Sequence, residues 1–226
     1  FKDLTMHITE FNTSYVPNAG IHDTNYNAAY VADLLAKFGQ YQTTYSYWTF
    51  GDVFEEFGVP HAQFHGGFGM VAHHNIPKPT FWTFKFFKDI QDGQCILRTE
   101  NMILVKTDNA YKGVLWNPTD EKKTILLEDI SEIGEYSLVE KSVDEEHGNP
   151  LKVWHDLGEK KYIRQDEIGL LQEAACPHVK SSVVNFSEES QIEFLLNKHA
   201  ILYFELTKRD FEGDRGYDYD RMLAQR

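Results

Sequence analysis

Two runs of β-branched and aromatic residues flank a stretch of helical period at the start of the chain, and this order limits the folds open to it. Residues 4–11 are mostly apolar or β-branched, as a short buried strand requires. Ala28, Val31, Leu35 and Phe38 then recur at helical spacing. They predict a helix over about 25–38, capped by Asp23 or Thr24 and followed by Gly39. Residues 43–50, TTYSYWTF, read as a second strand. After a glycine-rich loop, Pro79 opens a second helix reaching Ile90. Strands separated by a helix pair in parallel, because a hairpin needs a tight turn.

The period changes after Ile90–Gly93. Short alternating runs appear at 101–107, 110–117, 123–128, 136–143, 179–186 and 199–207, separated by turn residues. That is the pattern of an antiparallel β-sandwich, with one helix near 165–175. Composition shifts at the same place. Residues 1–90 hold 20 of the 32 Phe, Tyr and Trp and a net charge of −3, leaving 12 aromatics and −10 for the rest. The expected organisation is an α/β unit over 1–90, an all-β unit over 91–207, and an extended charged tail over 208–226.

The net charge of −13 repels phosphate backbones and anionic lipid, so nucleic acid and membrane surfaces are not expected partners. No apolar run approaches the ~18 residues of a spanning helix. Cys95 and Cys176 lack C-x-x-C spacing, which argues against a zinc site or disulfide framework and fits a reducing, cytoplasmic setting.

Glu10 ends the first strand. In parallel α/β architectures that end faces the active site, so the carboxylate is a candidate nucleophile or acid/base, weighed evenly against a structural role. The second strand ends in Tyr47-Trp48-Thr49-Phe50, and its loop carries Asp52, Glu55 and Glu56. Aromatic rings pack on the C–H faces of sugars while carboxylates accept their hydroxyls, although core aromatics and solvated loop acids explain the same residues. His61 and His65, four apart, and the adjacent His73 and His74 lie among glycines, where helical metal ligation fails. Neither a metal nor a cofactor is called for. His65-Gly66-Gly67-Phe68-Gly69 lacks phosphate-loop spacing and reads as a tight loop. Asp144-Glu145-Glu146-His147-Gly148 reads as a polar turn without the calcium-loop pattern.

The segments ITEFNTSY (8–15), HDT (22–24), SYWTFGDVFEE (46–56), QFHGGFG (63–69) and PKPT (77–80) together closely resemble glycoside hydrolase family 39, specifically its β-xylosidases. The likeness is dense over 1–90 and thinner through 144–150 and 199–206. It implies a (β/α)8 TIM barrel followed by a β-sandwich, with this chain carrying barrel strands 7 and 8. It implies release of xylose from β-1,4-xylosides with retention. Glu10 becomes the nucleophile, Trp48 the sugar platform, and Glu55 and Glu56 the groups that bond xylose hydroxyls. A xylo-oligosaccharide is then the partner. The family also contains α-L-iduronidases, but Asp52, Glu55 and Glu56 disfavour a uronic acid. The family's acid/base glutamate follows an asparagine, and no Asn-Glu pair occurs here. A barrel needs about 200–250 residues. The chain is therefore expected to be a C-terminal fragment, inactive alone, or else a non-catalytic carbohydrate-binding or structural module. Its unpaired strand edges predict self-association.

Overall fold

The computed structural model describes residues 4–38, 41–53, 58, 60, 62–128, 133–187, 191–209 and 223–224. Strands β1 (His7–Phe11) and β2 (Thr44–Tyr47) pair in parallel. Helix α1 (Asn25–Lys37) connects them and α2 (Pro79–Asp89) follows. Both strands are shorter than the sequence predicts. Leu4 and Met6 lie outside β1 and are exposed, and no residue of β1 itself is buried, so the expected buried strand is instead a short, largely exposed one. Thr24 supplies the α1 cap, its side chain accepting from the Asn27 amide. Asp23, the other candidate, is buried in an ion pair instead. Gly39 lies outside the described residues. The loop between β2 and α2 contains a small hairpin, β3 (Val71–Ala72) and β4 (Ile76–Pro77).

The remainder holds β5 (Gln94–Arg98), β6 (Met102–Lys106), β7 (Ala110–Asn117), β8 (Lys123–Leu127) and β9 (Gly134–Val143). Helices α3 (Pro150–Asp156) and α4 (Gln165–Ala174) precede β10 (His178–Phe186), β11 (Ile192–Leu196) and β12 (Ala200–Lys208). Six strands form one antiparallel sheet in the order β10-β9-β12-β7-β6-β5, and β11 pairs with β8 in a second. The sandwich is thus unequal, two strands against six. The sequence reading missed β5, β11 and α3.

The central strands of the large sheet are covered on both faces, while β5 and most of β10 are exposed. On one side Leu104, Leu115, Leu138, Leu202, Phe204 and Leu206 pack against Leu127, Ile192, Phe194 and Leu196 of the small sheet. On the other, Ile103, Val105, Val114, Trp116, Ile201 and Tyr203 pack against Ala28, Ala29 and Ala32 of α1 and Phe86 of α2. This explains why β6 reads MILVK and β12 reads AILYF, continuous rather than alternating: a strand covered on both faces needs apolar residues at every position. The alanines of α1 let that helix approach the sheet closely. Each large side chain fully buried contributes roughly 1.5–3 kcal/mol, so the core binds the first segment to the second firmly. A third cluster joins Phe64, Ala72 and Ile76 to Trp154, Leu171 and Ala175. The β1–β2 pair has no such cover, and among the described residues there is no closed barrel. Of the charged tail, residues 210–222 lie outside the described residues.

Candidate active site

The C-terminal ends of β1 and β2 meet at an irregularity. His7 opposes Thr44 and Ile8 opposes Tyr45, but the next partner of Tyr47 is Phe11, so the register shifts between Ile8 and Phe11. Thr9 and Glu10 occupy this shift. A bulge re-aims the side chains it contains, and such bulges recur beside active sites. Glu10 is exposed and makes no hydrogen bond or ion pair with any described residue. The structural alternative for a strand-end glutamate, pairing with a neighbouring loop, is therefore not realised among those residues.

A polar network fixes the ends of both strands. The Asn12 amide donates to the carbonyls of Trp48 at 2.6 Å and Phe68 at 3.2 Å. The Trp48 N–H donates to the Phe11 carbonyl at 2.9 Å. The Tyr47 hydroxyl donates to Asn12 Oδ1 and accepts from Asn27 Nδ2, both at 3.2 Å. Asn27 also donates to Thr80 at 2.8 Å and accepts from the Thr13 hydroxyl. Burial pushes the Tyr47 hydroxyl up to about 12, so it serves as a neutral linker between the strand and α1. Trp48 is half-buried, and the Trp48–Thr49 peptide bond is cis. Its segment is held on its other side as well: Thr49 N–H donates to Phe68 O, and Met70 N–H to Thr49 O.

Asp52 does not face a pocket with Trp48. It is buried, with Asp23, around the fully buried Lys78. Burial pushes its carboxyl up, a shift the adjacent Lys78 ammonium opposes. The glycine-rich loop wraps this cluster, with Gly66 N–H donating to Asp23 Oδ2 at 2.6 Å and Gly69 N–H to Asp52 Oδ1 at 2.9 Å. A Cβ on Gly69 would lie 2.3 Å from the Asp52 backbone nitrogen, and one on Gly67 would lie 2.4 Å from Asp52 Oδ1. Only glycine permits that approach. The reading of this segment as a tight loop is thus explained by the carboxylates it encloses. Lys78 was visible only as part of PKPT. A lysine between two prolines, on a chain with two aspartates near glycines, was the available signal.

Glu55 and Glu56 lie outside the described residues, as does His61. His65 and His73 have ring centroids 5.6 Å apart, and burial holds His73 below its ordinary value. No cluster of three or more potential metal ligands occurs among the described residues. The 144–148 turn is built on Asp144, which accepts from the amides of Glu146 and His147 and from Asn197. Cys95 and Cys176 are exposed and unpaired. No described helix is long and apolar enough to cross a membrane.

The sequence profile of the glycosyl hydrolases family 39 matches residues 1–192. The chain belongs to this family. It is 37% identical over 212 residues to a beta-xylosidase of Geobacillus stearothermophilus, covering 91% of this chain and 42% of the relative. It is 31% identical over 186 residues to a beta-xylosidase of Caldicellulosiruptor saccharolyticus, covering 76% and 38%. The fold is similar to part of a monomeric beta-xylosidase from Caulobacter crescentus, with a TM-score of 0.82 at 22% identity, covering 91% of this chain and 46% of that one. A family 39 enzyme from Xanthomonas axonopodis pv. citri gives 0.80 at 20%, covering 92% and 45%. The chain spans less than half the length of these relatives. Membership and fold agree with the likeness in the ITEF, SYWTF and HGGFG segments.

Proposed function

We propose that this chain is the nucleophile-bearing C-terminal portion of a retaining β-xylosidase, and that β1 and β2 with α1 and α2 are the last two β/α units of its barrel. The observation that carries the reading is Glu10: an exposed carboxylate with no partner among the described residues, at a strand-end bulge next to the anchored Trp48 segment, in a member of family 39. In a double displacement Glu10 attacks the anomeric carbon and forms a glycosyl ester. A second carboxyl about 5–5.5 Å away protonates the departing oxygen and later deprotonates water. Trp48 offers a ring face to the sugar, and Glu55 and Glu56 accept its hydroxyls. The substrate class is a xylo-oligosaccharide or other β-xyloside.

The acid/base belongs to the polypeptide that corresponds to the remaining length of the relatives. Alone, the chain has a nucleophile and no proton donor for the leaving group. The test is turnover of an aryl β-xyloside by three proteins: the chain alone, its Glu10→Gln variant, and the chain fused to the part of the Geobacillus stearothermophilus beta-xylosidase that it does not match. The first two should be indistinguishable, and the fusion should turn over substrate. An inactive but folded fusion would contradict the assignment.

A second reading, a sugar-binding module, has one observation in its favour. A groove of about 260 Å³ opens between the two sheets beside the stacked rings of His147 and His178, which lie 4.7 Å apart. Saturable heat on titrating xylobiose into the chain, abolished by His178→Ala and unaffected by Glu10→Gln, would favour it.

A further inference from the structure

Lys78 is completely buried at the N-terminal edge of α2, between two loops that start at different strands. Its ammonium donates to Asp52 Oδ1 at 2.9 Å and to the Gly67 carbonyl at 3.0 Å. It also lies 2.5 Å from Asp23 Oδ1 and 2.7 Å from Asp52 Oδ2, close ionic contacts off the hydrogen-bond axis. Asp23 ends the loop that leaves β1 after Glu10. Asp52 ends the segment that leaves β2 through Trp48. One cation therefore ties the loop that follows the strand of the proposed nucleophile to the loop that carries the proposed sugar platform. In the sequence Glu55 and Glu56 follow Asp52 by three and four residues. An interior ion pair of two carboxylates and one ammonium contributes little net stability relative to apolar packing, so stability alone does not account for this cluster.

We propose that Lys78 is a positioning residue for the xyloside site, clamping the Asp23 loop to the Asp52 loop so that the Trp48 segment holds one arrangement. The proposal rests on the reading of Glu10 and Trp48 as site residues. Removing the ammonium while keeping its stem, as in Lys78→Met, leaves two carboxylates buried against each other. They then separate, or one takes up a proton. The other titratable groups around the clamp are Tyr47, His65 and His73, which feel the Asp52 charge, and His22, whose Nδ1 meets the Gly66 carbonyl at 2.8 Å.

The test is amide hydrogen exchange on the whole chain, comparing Lys78→Met and the triple variant Lys78→Met/Asp23→Asn/Asp52→Asn with the parent at each pH. In Lys78→Met, exchange in peptides covering 46–53 and 64–70 should rise about tenfold or more at pH 7, with β7 and β12 unchanged. That excess should shrink by about pH 5, as a buried carboxyl with a raised value protonates. The neutral triple variant should recover protection at both pH values. A loosening equal at both pH values and not reversed in the triple variant would mean that Lys78 only packs its stem, and would overturn the proposal. So would no loosening at all. If Lys78→Met fails to fold, a folded and protected triple variant still supports the clamp, and an unfolded one overturns it. In the fused enzyme, Lys78→Met should raise KM about tenfold with kcat changed less than threefold, whereas a purely structural loss lowers the active fraction and leaves KM alone. An inactive parent fusion would count against the site reading and not against the clamp, which the exchange data decide separately.

Discussion

Glu10 and Asp144 are both acidic residues near turns, and their surroundings assign them opposite work. Glu10 is exposed and has no partner among the described residues, so replacing it removes no interaction seen to hold the fold. Glu10→Gln should leave stability within about 0.5 kcal/mol, as for surface changes away from special features. In the fused enzyme the same change should lower kcat on the order of 10⁴-fold, as removal of a group in a catalytic unit does. Equal losses of stability and activity would mean a structural role instead. Asp144 is buried. Burial pushes its carboxyl up, but hydrogen bonds from Asn197 and from the Glu146 and His147 amides outweigh that and hold it below the ordinary range. Its folded value is depressed, so its contribution is present above the unfolded value near ~4 and lost as pH falls through the folded one. Asp144→Asn should lower Tm at pH 7 by roughly 3–12 °C, from about 1.5–3 kcal/mol for charged hydrogen bonds and 2–4 °C per kcal/mol. The gap to the parent should close below about pH 4 in thermal scans. A gap that widens in acid would contradict the assignment.

Among the elements, β7 shows how tightly the two sheets constrain sequence. Gly113 opposes Phe204 across the β7–β12 ladder, and a Cβ there would lie 2.3 Å from the Phe204 ring. That ring is itself stacked on Phe194 at 4.6 Å, so it has nowhere to move. Gly113→Ala should destabilise by about 1–3 kcal/mol through overpacking, measurable by urea denaturation. A neutral or stabilising change would show that the ring relaxes. The elements also show what the sequence made legible. Helices α1 and α2 were readable because Thr24, Pro79 and the apolar spacing of Ala28, Val31 and Leu35 all agree. Strand β11 was missed although Ile192, Phe194 and Leu196 alternate, because five residues next to a long polar stretch carry little signal. Helix α3 was missed because its seven residues give less than two full turns, and only Pro150 marks it. The position of Glu10 near the end of β1 was legible from the run of residues 4–11. The Lys78 clamp was not, since it joins positions 23, 52 and 78, and ion pairing at that separation has no local pattern.

For the whole molecule, the two segments share a core, yet the β1–β2 pair remains a two-stranded parallel sheet with exposed Leu4, Met6, Tyr45, Phe50 and Val53 around it. Parallel strands are normally covered on both faces, and open edges recruit other strands. We predict that the isolated chain self-associates through this region. Light scattering should give a mass above 26.3 kDa, and Met6→Lys/Tyr45→Lys should return it toward the monomer. A well-folded monomer of the parent chain would contradict this. The same exposed edge is where the remaining length of the relatives would complete the site around Glu10. The most direct measurement is the mass of the protein after exposure to an aryl 2-deoxy-2-fluoro-β-xyloside, which traps the glycosyl ester of a retaining enzyme. The isolated chain should stay unlabelled, and its fusion to the unmatched part of the Geobacillus stearothermophilus beta-xylosidase should gain one fluoroxylosyl group on the peptide containing Glu10. A label on another carboxylate, or on the isolated chain, would contradict the assignment of Glu10 as a nucleophile that needs a partner carboxyl from beyond this chain.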